Sequence, residues 1–131
     1  MSTLYLIRGL PGSGKSTFAE VLGDALGTQY LEADMYFLQG CGYKFEPSKL
    51  AQAHQWCQSS TETYLARGED VVVSNTSTTE KEVETYKKIA EEYGAKFVSL
   101  VVENRHCGKN IHNVPEEALT RMQQRFTVKL R

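Results

Sequence analysis

The chain has 131 residues, 40% hydrophobic and 24% charged, with a formal net charge of −1. That length suits one domain with a buried core, and the balance excludes a disordered or fibrous chain. No apolar run approaches the roughly 20 residues that cross a bilayer. Met1–Ile7 lacks the positive start of an export signal. The three cysteines, Cys41, Cys57 and Cys107, are an odd number without metal-ligand spacing. A single domain spanning residues 1–131, in a reducing cytoplasm and away from membranes, is therefore expected.

Residues 3–8 form an apolar run that ends at Gly9, as a buried strand entering a turn does. A helix is predicted to start near Lys15, with Phe18, Val21, Leu22, Ala25 and Leu26 as its inward stripe and Gly27 as its stop. Residues 28–33 read as a second strand, and residues 34–46 as a loop rich in aromatics and glycine. Pro47 opens a helix that runs to about Arg67, with Leu50, Ala53, Cys57, Tyr64 and Leu65 near one face. The valines of Asp70–Ser74 predict a strand buried on both sides, as in a parallel sheet. Thr79 and Glu82 have capping-box spacing. The helix they open places Val83, Tyr86, Ala90 and Tyr93 inward. Residues 96–102 are a fourth strand. A basic loop, 104–114, precedes a helix opened by Pro115, with Leu119, Met122, Phe126 and Leu130 inward. Strands alternating with helices imply an α/β fold: a three-layer αβα sandwich on a parallel sheet of four to five strands, with a C-terminal lid and helix.

The segment Gly9-Leu10-Pro11-Gly12-Ser13-Gly14-Lys15-Ser16 satisfies G-x-x-x-x-G-K-[ST] and lies between a strand and a helix, where its mechanism requires it. Gly9, Gly12 and Gly14 let successive backbone N–H groups, including that of Ser13, turn toward phosphate oxygens. The helix start through Thr17 adds its positive end. Lys15 can reach the β- and γ-phosphates of ATP, and the Ser16 hydroxyl can ligate Mg²⁺.

Ligands of open α/β sheets sit beyond the carboxyl ends of the strands. Asp34 follows the second strand and can accept the proton of an attacking hydroxyl; it can equally hold water on the metal or cap its own turn. Glu32, two residues back on the same strand face, stands in reserve. Ser74 and Asn75 occupy the end of the third strand, where many P-loop enzymes carry an acid, and can orient metal-bound water or the acceptor by neutral hydrogen bonds, or belong to an ordinary loop. Residues 104–131 carry six basic side chains against two acidic ones, +4, which leaves −5 for residues 1–103. Arg105, Lys109, Arg121 and Arg125 are thus candidate cations for a transferring phosphoryl group, with a solvated helix face as the plainer alternative. Tyr36, Phe37, Tyr43 and Phe45 can stack on a base, or, more in keeping with such loops, join the core or a hydrophobic lid. His106, Cys107 and His112 lack a fourth ligand for zinc.

The cradle, the acid in Glu32-Ala33-Asp34-Met35-Tyr36, the run Val71-Val72-Val73-Ser74-Asn75-Thr76, and Lys109-Asn110-Ile111-His112-Asn113-Val114-Pro115 together resemble the AAA-type P-loop kinase domain of phage-type polynucleotide 5′-hydroxyl kinases and their small relatives. The resemblance spans nearly the whole chain. It implies that Lys15 and Ser16 bind ATP and Mg²⁺, that Asp34 is the general base, and that lid arginines stabilise the transferring phosphate. The implied acceptor is a hydroxyl of a nucleic acid or nucleotide, foremost a 5′-OH end; a modified base, a sugar or another small molecule keeps the same chemistry. A slow or non-catalytic ATP-binding module is the reading from another class. The chain departs from the family pattern at Phe37, where an arginine holds the acceptor's 3′-phosphate, at the strand-3 acid, and at Lys109-Asn110, which replaces Arg-Asn.

Overall fold

A computed structural model describes residues 2–38, 47–77, 79–105 and 114–129. The four apolar runs become parallel strands β1 (Thr3–Arg8), β2 (Gln29–Leu31), β3 (Val71–Asn75) and β4 (Lys96–Val101), side by side in the order β2-β3-β1-β4. The helices are α1 (Lys15–Leu26), α2 (Leu50–Ala66), α3 (Glu80–Glu92) and α4 (Glu116–Arg125). Among the described residues no helix is long and apolar enough to cross a membrane.

Strand alternation divides the core in two. Leu4 and Leu6 of β1 with Val71 and Val73 of β3 face α2 and α3, joined there by Cys57, Leu65, Val83, Tyr86 and Ile89. Ile7 and Val72 face α1, packing on Ala19. β3 is buried at all five positions, as its valine run implies, because it lies inside the sheet and is covered on both sides. The resulting three layers, helix, sheet and helix, are those of a P-loop kinase-like α/β fold. The Thr79 hydroxyl accepts from the Glu82 backbone N–H and the Glu82 carboxylate accepts from the Thr79 N–H, so the capping box forms as spaced.

Three expectations change. The inward face of α1 is Lys15, Ala19 and Gly23, whereas Phe18, Val21 and Leu26 are 42%, 61% and 45% exposed. The phosphate loop sets the helix phase: it delivers the chain to Lys15 with that side chain turned toward the cradle, and a helix held so close to the sheet accepts only small residues beneath it. The second strand stops at Leu31, and a 3₁₀ helix (Ala33–Leu38) replaces the start of the expected loop, while residues 39–46, with Cys41, Tyr43, Lys44 and Phe45, lie outside the described residues. α4 has no buried residue; Leu119, Met122 and Phe126 are half-buried, and Leu130 is outside the described residues. Smaller shifts leave Leu50 and Tyr93 exposed and bring Thr61 and Ile89 inside.

Ala19→Leu is therefore expected to cost about 1–3 kcal/mol by overpacking, and Phe18→Ser less than about 1 kcal/mol. Urea denaturation of the two variants checks the order, which the hydrophobic pattern alone reverses.

Candidate active site

The cradle is built by close approach. A Cβ placed on Gly9 would lie 2.5 Å from the Ser13 Oγ and 2.9 Å from the Val102 carbonyl oxygen, so only glycine lets the end of β1, the loop and the exit of β4 meet. Gly12 and Gly14 have φ of 87° and 91°, the left-handed region that L side chains rarely enter. The Ser13 N–H donates to Leu10 O at 3.0 Å and the Phe18 N–H to Gly14 O at 3.0 Å, which ties the loop into the first turn of α1. Thr17 is exposed in that turn. The N–H groups of the first turn lack carbonyl partners within the helix and, with its dipole, favour an anion there.

Lys15 is 9% exposed. Burial pulls its pKa below the ordinary lysine value, and the carboxylates of Glu32 and Asp34 oppose that shift. Both acids therefore act electrostatically on the cradle lysine. Glu32 is tied further: its Oε2 accepts from the Ser16 hydroxyl at 2.9 Å and from the Tyr30 hydroxyl at 2.5 Å. The Tyr30 hydroxyl, its pKa raised by burial and by its bond to Glu32, stays a donor. A Ser16 hydroxyl that donates to Glu32 keeps its lone pairs for a cation. Sequence reasoning held Glu32 in reserve. Its signal was available: a carboxylate on a strand end, one strand face from Asp34, with a tyrosine two residues back on that same face.

Asp34 sits half-buried in the 3₁₀ helix beyond β2. Its backbone is placed from below by Asn75, whose Oδ1 accepts from the Ala33 N–H at 3.0 Å. The Asn75 Nδ2 donates to the Tyr86 hydroxyl at 3.2 Å and lies 3.8 Å from the Cys57 Sγ. One buried amide thus joins β3, α2, α3 and the segment that carries Asp34. Burial raises the pKa of the Cys57 thiol, so it serves as a packing group and not as a thiolate.

The alternation of β3 sends its two polar residues to opposite faces. Asn75 pairs with Arg8 on the α2–α3 side, while Ser74 pairs with Ile7 on the α1 side. The Ser74 Oγ is buried and has no hydrogen-bond partner among the described residues. Phe37 is 6% exposed, in the core cluster, with Tyr36 edge-on to it at 5.6 Å and tilted against Trp56 at 6.3 Å. The Tyr36 hydroxyl donates to Gln52 at 3.1 Å. Arg105 is exposed and bonded to Glu103, which holds its pKa up, and Arg121 and Arg125 are exposed on α4. Lys109, His106, Cys107 and His112, and with them most of the basic loop 104–114, lie outside the described residues.

A Gly9 that admits no Cβ, Gly12 and Gly14 in left-handed conformation, an orphan Ser74 hydroxyl, and a Ser16 held by Glu32 fit a triphosphate with Mg²⁺. Among the described residues no group of three or more histidines, cysteines or acids can hold a metal by itself. Mg²⁺ suits such a place, because it keeps several waters and takes substrate phosphates as ligands.

Fold and site define a P-loop domain of kinase type. The AAA domain family model matches residues 4–128, and the chain belongs to that family. Human NEDD4-binding protein 2 is 30% identical over 132 residues, covering 94% of this chain, which spans 8% of that protein's length. A chain of the Pnkp1/Rnl/Hen1 RNA repair complex superposes with a TM-score of 0.75 at 20% identity, covering 95% of this chain and 44% of its own. A gluconokinase from Sinorhizobium meliloti 1021 superposes at 0.63 and 17% identity, covering 96% and 75%. The α/β fold is thus shared with a chain of an RNA repair complex and with a gluconokinase.

Gly9→Ala is expected to lower Mg·ATP affinity by tenfold or more, the scale of losing about 1.4 kcal/mol of cradle geometry. Isothermal calorimetry measures it. Asn75→Ala is expected to destabilise the fold by about 1–3 kcal/mol through unpaired buried groups, read by urea denaturation.

Proposed function

We propose that this chain is an ATP-dependent kinase that transfers the γ-phosphoryl group to a hydroxyl, with a nucleic-acid or nucleotide 5′-OH as the leading acceptor. The observation that carries the reading is the cluster of Lys15, Ser16, Glu32 and Asp34 at one end of the sheet, directly at the glycine cradle. The likeness to a chain of an RNA repair complex supports the acceptor class.

The backbone amides of residues 9–16 hold the phosphates and Lys15 neutralises the β–γ region. Ser16 would offer a lone pair to Mg²⁺, and Glu32 and Ser74 would hydrogen-bond to water held there. Mg²⁺, when bound, would supply neutralisation of the negative charge on the phosphate oxygens. The acceptor hydroxyl oxygen forms a bond to the γ-phosphorus as the bond from that phosphorus to the β–γ bridging oxygen breaks. Asp34 takes the hydroxyl proton, and ADP departs. Arg105, Lys109, Arg121 and Arg125 supply cations to the transferring oxygens, with 104–114 acting as the lid. A cleft of about 220 Å³ beside the cradle, walled by Leu10, Val101, Val102 and Phe126 with Asn104 in its lining, suits the base.

One observation favours a smaller acceptor. Phe37 is buried in the core, so the position that grips an acceptor's 3′-phosphate in the resembling kinases offers no cation here.

Transfer of label from γ-labelled ATP to 5′-OH DNA, 5′-OH RNA, nucleosides and sugars in parallel decides among these. Labelled oligonucleotide supports the leading reading, label only on a small molecule supports the second, and no transfer at all rejects a kinase. Asp34→Asn is expected to keep ATP affinity and slow transfer by about a hundredfold or more, the scale of a lost general base. Glu32→Gln is expected to raise the Mg²⁺ concentration needed for half-maximal rate by about tenfold, the lower range for a partner that supports a metal ligand; an unchanged Mg²⁺ dependence removes Glu32 from the metal's surroundings.

A further inference from the structure

Arg8 is the residue immediately before the cradle, and its side chain is 2% exposed. A buried guanidinium is costly unless its donors are satisfied. Its Nε donates to the Ser77 carbonyl at 2.9 Å, its Nη2 donates to the Thr127 carbonyl, and its Cζ lies over the Phe126 ring, 4.8 Å from the centroid. Burial lowers its pKa, opposed by the carboxylates of Glu80 and Glu82 at the start of α3; arginine keeps its charge regardless. One side chain therefore joins the root of the phosphate loop, the turn that leads into α3, and the exit of α4. Ser77, its first partner, has φ of 45°, so a strained turn presents that carbonyl.

α4 needs such a tie. It has no buried residue, so its amphipathic face is not enough to hold it. Its links to the body include Phe126 and Thr127 on Arg8 and the Lys129 N–H donating to Glu80 at 3.1 Å. Phe126 also lines the cleft beside Gly9 and Ser13, so the exit of α4 and the cradle share a wall. α4 carries Arg121 and Arg125.

We propose that Arg8 is a positioning residue that latches the exit of α4 to the root of the phosphate cradle and thereby fixes where Arg121 and Arg125 stand during transfer. Arginine suits the task better than lysine: its flat fork bonds two carbonyls in different directions while its face covers an aromatic ring. The catalytic consequence rests on the kinase reading above, whereas the latch does not.

Three variants test it: Arg8→Lys, Phe126→Leu and the double mutant. Hydrogen exchange of the 116–129 amides reads the latch with or without activity. Arg8→Lys and Phe126→Leu are each expected to speed that exchange by about tenfold, the size of a lost desolvated cation–π contact. The double mutant is expected to match the more severe single one, since both remove the same contact. For Arg8→Lys, which leaves the wall of the base cleft intact, Mg·ATP affinity by calorimetry is expected to stay within about threefold, while kcat falls about tenfold. Unchanged exchange in α4, additive effects, or, in Arg8→Lys, a loss of ATP affinity as large as the loss of kcat would overturn the latch. Should Arg8→Lys fail to fold, Phe126→Leu, at a half-buried position, carries the exchange measurement alone. If the wild-type chain transfers no phosphoryl group, the kinase reading fails, and exchange still decides the latch.

Discussion

Three pieces of backbone meet around one missing side chain. At Gly9 the end of β1, the phosphate loop and the exit of β4 approach so closely that a methyl group would collide with the Ser13 hydroxyl and the Val102 carbonyl. That contact sets the curvature of the loop, and the loop in turn sets the starting phase of α1. The helix consequently turns Lys15, Ala19 and Gly23 to the sheet and leaves the larger apolar residues beside that face. A local demand for anion binding thus shifts the hydrophobic stripe of the helix, of which Leu22 still packs on the core.

The acids follow the same logic at a second level. β2 is short because Asn75 captures the Ala33 N–H and the Met35 N–H turns back to the Glu32 carbonyl at 3.0 Å. The chain leaves the sheet at that point, which brings Glu32 under Ser16 and raises Asp34 beyond it. Tyr30 and Ser16 both donate to the same Glu32 carboxylate oxygen, Oε2. The position that many P-loop enzymes give to a strand-3 acid holds Ser74 here, with Asn75 turned the other way into the interior. Glu32 supplies negative charge to Ser16 and Lys15 from the neighbouring strand instead.

Among the described residues, burial explains which aromatics face the cradle and which join the core. Phe37 and Tyr86 are inside, Tyr36 and Trp56 lean on the same cluster, and Phe126 lines the cleft beside the cradle while resting against Arg8. The aromatic residue joined to both the cradle and the C-terminal helix therefore comes from the far end of the chain, 117 residues beyond Gly9.

Periodicity and local chemistry were enough to place the strands, the glycine cradle, the capping box of α3 and the choice of Asp34 as a candidate, because each depends on neighbours within a few positions. Helix phase was not legible, since α1 answers to the loop before it and to the sheet below it. Nor was the rank of Glu32 above a mere neighbour of Asp34, the inward commitment of Asn75, or the tie from Arg8 to Phe126 and Thr127. Those rest on pairs separated by 16, 42 and 119 positions, brought together by a parallel sheet whose order, β2-β3-β1-β4, is not the order of the chain. A side chain's type is written in one dimension, but the partner that gives it a role is chosen by which strand ends lie side by side.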